Sequence, residues 1–239
     1  FRFFMVKMGS QAIEVEIERV RQLTKQFHPD ITFFVDANKG WTETEALRFV
    51  HGVNQYPFGL IEQPVRAHDF AALKRIRMAS IAPISADESV HSLEQGAQLA
   101  RENAVDVFSI KVSKNGGISM ARKLAVIAEA ANMTCLMNSM LESGISQAAS
   151  LQLGVTLPNL INLGHAYMST LRLADDVTNF ARLVSDGTVR LPKEPGLGIE
   201  FDEDKVKRLA NDHFRVEVQS AARTTVIDEG DHTILGRNN

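Results

Sequence analysis

Three acidic residues close three short apolar runs: Asp36 in FFVDANKGW, Glu62 in GLIEQPV and Asp87 in PISADES. Lysines close two more, Lys7 in FFMVK and Lys111 in DVFSIK. Carboxylates brought together repel one another, so they need a cation or their pKa values rise. Hard oxygen donors without His or Cys point to Mg2+, with Mn2+ as a substitute. Taken singly, each carboxylate has a plainer role open to it, capping the next helix or pairing with a nearby lysine. A lysine in a metal-lined cleft can have a lowered pKa and act as a base. The alternative is that it only neutralises the carboxylates.

Other residues are weaker candidates. Glu142, in NSMLESGIS, follows the next apolar run and can hydrogen-bond Lys111. Its rival reading is a helix start at Ser143 with Glu142 merely nearby. Asn38 can accompany Asp36 at a metal or shape its loop, while Lys39 and Trp41 suit surface and packing roles. His165 and Tyr167 follow the last apolar run and are candidates to touch a substrate, although a lone His is more often structural. The NGG at 115–117 can cradle an anion at a helix start. It lacks the spacing of a dinucleotide or phosphate-loop fingerprint. No Ser-His-Asp set or cysteine-nucleophile context stands out.

The elements that must position these residues alternate short apolar runs with amphipathic stretches. FRFFMVK, ITFFVD, FGLIE, ISAD, DVFSIK, MTCLMN and LINLG read as strands. Helices are predicted between them: one after a Ser10 cap, with Ile13, Val15, Ile17, Val20 and Leu23 as its apolar face, and one after Thr42, with Glu45 at the capping-box position. Others are predicted over 68–78 and 93–101, from the NGG to Ala131, and over 145–153. Strands apolar throughout are covered on both faces, which implies a parallel sheet. The strand-end residues stand at 7, 36, 62, 87 and 111, a nearly constant interval that suits a closed (β/α) barrel. There all strand C-termini open on one face, so these side chains converge on one mouth.

Bulk properties exclude several classes. The 239 residues carry a formal net charge of −3, so no basic field invites nucleic acid or an anionic membrane. No apolar run approaches the ~20 residues of a membrane span. The single cysteine, Cys135, has no internal disulfide partner, and a reducing cytoplasmic setting fits it best. The chain starts with Phe1 inside a predicted strand, so a part upstream is expected to be absent. The domain reading is a barrel over residues 1–200 and a separate C-terminal segment over 201–239.

The ordered pieces MVKMG, VDANKGW, IEQPV, ADES, IKVSKNGGI and MLESGISQAAS resemble the enolase superfamily. Within it they are similar to the muconate lactonizing enzyme (muconate cycloisomerase) subgroup of the mandelate racemase/muconate lactonizing enzymes. The resemblance covers about residues 1 to 165. It implies an α/β fold, a (β/α)7β TIM-like barrel, here without its first strand and the capping domain that precedes it. Residues 201–239 would then pack on that capping domain. The resemblance also implies Mg2+ on Asp36, Glu62 and Asp87, with Lys7 and Lys111 as the acid/base pair and Glu142 as the acidic residue after the seventh strand. The substrate is a small carboxylate that passes through an enolate-type intermediate, as in cycloisomerases, racemases or epimerases, and dehydratases. A carboxylate-binding or remnant barrel without turnover is the non-enzymatic alternative. Members are often oligomeric, so a homo-oligomer is among the expectations. Two departures stand out. Met5 occupies the place of the first lysine of Lys-x-Lys, and His165-Ala166-Tyr167 replaces the Asp-x-Asp of dipeptide epimerases.

Overall fold

The computed structural model describes residues 1–211, 216–220, 223–227 and 235–236. The chain divides into two compact units, Phe1–Glu200 and Phe201–Asn239.

The first unit alternates six strands and six helices: β1 (Phe3–Lys7), α1 (Ile13–Gln26), β2 (Thr32–Asp36), α2 (Glu43–Val53), β3 (Ile61–Glu62), α3 (Phe70–Ala79), β4 (Ile84–Ala86), α4 (Leu93–Glu102), β5 (Val107–Ile110), α5 (Ile118–Ala130), β6 (Thr134–Met137) and α6 (Gly144–Gly154). The strands form one parallel sheet in chain order, β1 to β6. Side chains alternate across it. Phe34, Leu60, Val107 and Leu136 form an apolar cluster, with Met5, Ile161 and Leu163 packed against it. Phe34, Leu60 and Met5 each lie two residues before Asp36, Glu62 or Lys7, hence on the same face one layer down. Met5 therefore belongs to an apolar floor under the charged layer. Burying each such side chain contributes about 1.5–3 kcal/mol.

Helix starts follow local chemistry. Thr42 and Glu45 form the predicted capping box, and Ser92 with Gln95 forms another. Asp69 caps α3 through the Ala72 N–H at 2.9 Å. Ser10 does not cap α1, which starts at Ile13 without a side-chain cap. The buried Glu16 Oε1 accepts instead from the N–H groups of Gly9, Ser10 and Gln11, at 2.7, 3.1 and 3.1 Å. Val15, expected on the apolar face, is exposed.

The predicted last strand, LINLG, is reduced to a single parallel bridge between Cys135 and Leu160. A tight turn, with the Leu163 N–H on the Ile161 carbonyl at 2.8 Å, interrupts the ladder. The segment still returns to β1: a Cβ on Gly164 would lie 2.5 Å from that of Phe3, so only glycine fits and the sheet is curled round. Beyond it, Phe180 packs on Ala148 and Leu151 of α6. A two-stranded antiparallel ribbon of β7 (Val184–Ser185) and β8 (Thr188–Val189) follows.

The second unit contains α7 (Glu203–Asn211), capped by Asp202 through the Lys205 N–H at 2.7 Å. Three antiparallel strands, β9 (Val216–Ser220), β10 (Arg223–Ile227) and β11 (Leu235–Gly236), follow in the order β11-β10-β9. The expectation for residues 201–239 falls in part outside the described residues. Among the described residues, no helix is long and apolar enough to cross a membrane.

Candidate active site

The register of the sheet builds the site. Lys7 pairs with Asp36 across β1 and β2, and Asp36 pairs with Glu62 across β2 and β3. Asp87 follows β4, Lys111 follows β5 and Asn138 follows β6, all at the C-terminal ends. The structure thus gathers Lys7, Asp36, Glu62, Asp87 and Lys111 on one rim, with the carboxylate strands between the two lysine strands.

Glu62 is wholly buried, and both its oxygens lie 3.0 Å from Asn138 Nδ2. Burial raises its pKa well above the ordinary carboxylate range, and the neighbouring charges of Asp36 and Asp87 raise it further. Asp36 Oδ2 accepts from Lys7 Nζ at 2.5 Å, and Asp36 Oδ1 accepts from the Asn38 N–H at 2.8 Å. Asp87 Oδ2 accepts from Lys111 Nζ at 2.5 Å, and Oδ1 from Lys114 Nζ at 2.7 Å. Burial opposes charge on Asp87, but the two ammonium groups outweigh it and hold the carboxyl below its ordinary pKa.

The two rim lysines are not equivalent. The Lys7 side chain is 65% exposed and that of Lys111 only 11%. The lowered pKa expected of such a lysine is not found at Lys111. Burial pulls its pKa down, but Asp87, Glu62 and Asp36 push it above the ordinary value.

Other expected residues divide. Asn38 Oδ1 accepts from Lys7 Nζ at 2.8 Å, so Asn38 sits beside Asp36. His165 is partly buried and its Nδ1 accepts from the Met137 N–H at 3.2 Å. Burial lowers its pKa. Glu142 does not take the expected place at Lys111. It accepts from the Ser113 hydroxyl and, at 3.3 Å, from Gln147 Nε2. Tyr167 turns onto α6, where its hydroxyl donates to the Ser150 carbonyl at 3.2 Å, and burial pushes its pKa to about 12. It anchors that helix and also lines the cavity beside Lys7. The NGG glycines start α5 at Gly117, and Asn115 is committed to the Lys111 N–H and the Val90 carbonyl. Lys39 reaches Glu88 at 3.5 Å on the surface, and Trp41 is buried, as expected.

Sequence reasoning missed Lys114, Asn138 and Gln63. Lys114 Nζ donates to Asp87 Oδ1 and to the carbonyls of Asp87 and Ser109 at 2.7, 2.7 and 2.9 Å. Burial pulls its pKa below the ordinary value, against Asp87, which favours the charged form. All three of its protons are used, so it is a fixed counter-charge. Asn138 carried a readable signal, because a polar residue ending an apolar strand is what marked Asp36.

A cavity of about 650 Å3 opens beside Lys7 and Asn138, with Met5, Leu136 and His165 in its wall. A larger one, about 780 Å3, lies at the opposite strand ends around Arg77 and Asp106, away from the carboxylates.

The donor set fits a hard divalent cation, because Glu62 is buried between two other carboxylates with only an amide for a partner. Among the described residues, no three such side chains are grouped as ligands around one point. Lys7, Lys111 and Lys114 hold Asp36 and Asp87 on their own charges instead.

A curled parallel sheet with helices outside and charged residues at the strand C-termini is the architecture of a (β/α)-barrel catalytic domain. Residues 1–205 match the family described as enolase C-terminal domain-like. A chloromuconate cycloisomerase of Cupriavidus necator is 36% identical over 204 residues, 85% of this chain and 55% of that protein. The L-Ala-D/L-Glu epimerase of Bacillus subtilis is 32% identical over 201 residues, 83% of this chain and 54% of its own length. A solved muconate lactonizing enzyme from Pseudomonas fluorescens, complexed with muconolactone, superposes with a TM-score of 0.82 at 33% identity, covering 87% of this chain and 56% of that one. The chain belongs to the enolase C-terminal domain-like family, in the mandelate racemase/muconate lactonizing enzyme group. It spans about half the length of the curated relatives it matches.

Proposed function

We propose that this chain carries the catalytic barrel of an Mg2+-dependent isomerase that moves a proton α to a substrate carboxylate, with muconate-cycloisomerase-like chemistry. The observation that carries this reading is Glu62, a wholly buried carboxylate beside Asp36 and Asp87, with Lys7 and Lys111 at the two ends of the row. Held by Asp36, Glu62 and Asp87, the cation (Mn2+ as a substitute) supplies charge that stabilises the anion formed when the proton leaves.

The chain's own groups do the proton work. Lys111 is the shielded one, and to act as a base it must give up the Asp87 contact and one proton. Lys7, at the open end, is placed to deliver or take a proton from the other side of a substrate lying over Glu62. Asn138 keeps both Glu62 oxygens aligned. Met5 and Leu136 give the substrate an apolar wall, and His165 stands at its edge. The buried free thiol of Cys135 suits a reducing compartment, and the cytoplasm is the proposed location.

The epimerase relative supports a second reading, racemisation or epimerisation of an amino-acid derivative by the same two lysines. Turnover of a panel of muconate-type, N-acylamino-acid, dipeptide and hydroxy-acid carboxylates by the full-length protein decides the class. Conversion is expected with Mg2+, abolished by chelator and lowered about 100- to 10,000-fold in Lys111→Ala. Conversion that survives both chelation and loss of either lysine would overturn the reading.

A further inference from the structure

Gln63 touches the framework of all three strand-end carboxylates, although it is not itself placed to meet a ligand. It is fully buried and follows Glu62 directly. Its φ is +37°, a left-handed conformation that a non-glycine residue adopts only when its surroundings hold it there. The surroundings do so at every polar atom. The backbone N–H donates to the Ser85 carbonyl at 2.9 Å, and the carbonyl accepts from the Lys39 N–H at 2.9 Å, in the loop that carries Asp36 and Asn38. Oε1 accepts from the N–H groups of Asp87 and Ser89, both at 3.0 Å. Nε2 donates to the Val65 carbonyl at 2.9 Å and the Ser89 hydroxyl at 2.7 Å.

One residue thus joins the loop after Asp36, the end of Glu62's strand and the backbone of Asp87. Only a side-chain amide supplies two acceptor sites and two donor protons at one tip. Glutamine has the reach; asparagine is one methylene shorter.

We propose that Gln63 is a positioning residue that sets the spacing of Asp36, Glu62 and Asp87, so that the three carboxylates act as one divalent-cation site. This rests on the metal-site reading above. It is distinct from ligation, because the amide is consumed by backbone and Ser89 partners. Groups that orient ligands from behind typically change metal affinity about 10- to 100-fold when removed. That is the effect expected here.

The test is calorimetric titration of the full-length protein with MgCl2, alongside melting temperatures in chelator. Gln63→Met keeps the length of the side chain and removes its four hydrogen bonds, so Mg2+ affinity is expected to fall about 10- to 100-fold. Leu73→Ala, in the buried core of α3, lowers the melting temperature and is expected to leave affinity unchanged, separating positioning from general destabilisation. If Gln63→Met does not fold, Gln63→Asn, with its amide out of reach, is expected to lose at least about ten-fold. A folded Gln63→Met or Gln63→Asn that binds Mg2+ like the wild type overturns the proposal while leaving the metal site standing. A wild type that binds no Mg2+ overturns the metal-site reading and the proposal with it.

Discussion

Replacing Glu16 by alanine should loosen the loops that carry Lys7 and Asp36. Its carboxylate is completely buried, makes no ion pair among the described residues, and accepts four N–H groups. Three are the backbone donors of Gly9, Ser10 and Gln11; the fourth is the indole N–H of buried Trp41, at 2.6 Å. Ser10 and Gln11 are exposed, so water can replace their partner at little cost. The buried Trp41 donor has no such recourse, and the half-buried Gly9 donor has only a partial one. An orphaned buried donor costs about 1–3 kcal/mol, so the two together amount to about 3 kcal/mol. For a unit of this size that is a fall in Tm of about 6–12 °C. The Glu16→Gln change should cost about half as much, because the amide oxygen can stay on the backbone donors while the NH2 faces the indole N–H. Gly9 and Gly40 interlock the same two loops: a Cβ on Gly40 would lie 2.2 Å from the Gly9 carbonyl oxygen. Thermal unfolding by circular dichroism measures the loss. A Glu16→Ala protein melting within about 2 °C of the wild type would refute the reasoning, because it would mean those donors need no carboxylate.

Other outcomes follow from the same geometry. Lys114→Met removes a buried ammonium from Asp87; because Lys111 remains, the expected loss is about 3 kcal/mol, the low end for breaking a buried pair, read by urea unfolding in chelator. His165 is held neutral by burial, so its folded pKa lies below the unfolded value of about 6.5. The stability it confers is present above that pH and is lost as pH falls below it. His165→Asn keeps an acceptor for the Met137 N–H without titrating, so its Tm should fall less than the wild type's between pH 7.5 and 5.5; parallel curves would contradict this.

Much of the site was legible because chemistry and topology coincide in a parallel barrel. Asp36, Glu62, Asp87 and the two lysines each end an apolar run, and parallel strands deliver their ends to one rim. Thr42 with Glu45 was readable because a capping box is a local pattern. What escaped was decided by long-range partners. Ser10 lost its capping role to Glu16, which lies off the apolar face predicted for that helix. Lys114 and Gln63 face inward only because loops from other strands offer them carbonyls and N–H groups. LINLG has the composition of a strand, but the turn at Ile161–Leu163 and the approach of Gly164 to Phe3 leave it a single bridge. Tyr167 was placed near a substrate by its position after that segment, and it lines the cavity beside Lys7, but the bond of its hydroxyl to the Ser150 carbonyl on α6 was not readable.

The central claim, that Lys111 moves a proton over a carboxylate-bound cation, is tested most directly by solvent-deuterium incorporation. NMR would follow the α-position of the substrate that the full-length protein turns over, with Mg2+ or with chelator, in wild type and Lys111→Ala. The expected result is incorporation by the wild type with Mg2+, none with chelator, and a drop of at least about 100-fold in the variant. Equal incorporation in the variant, or incorporation indifferent to chelator, would contradict the account.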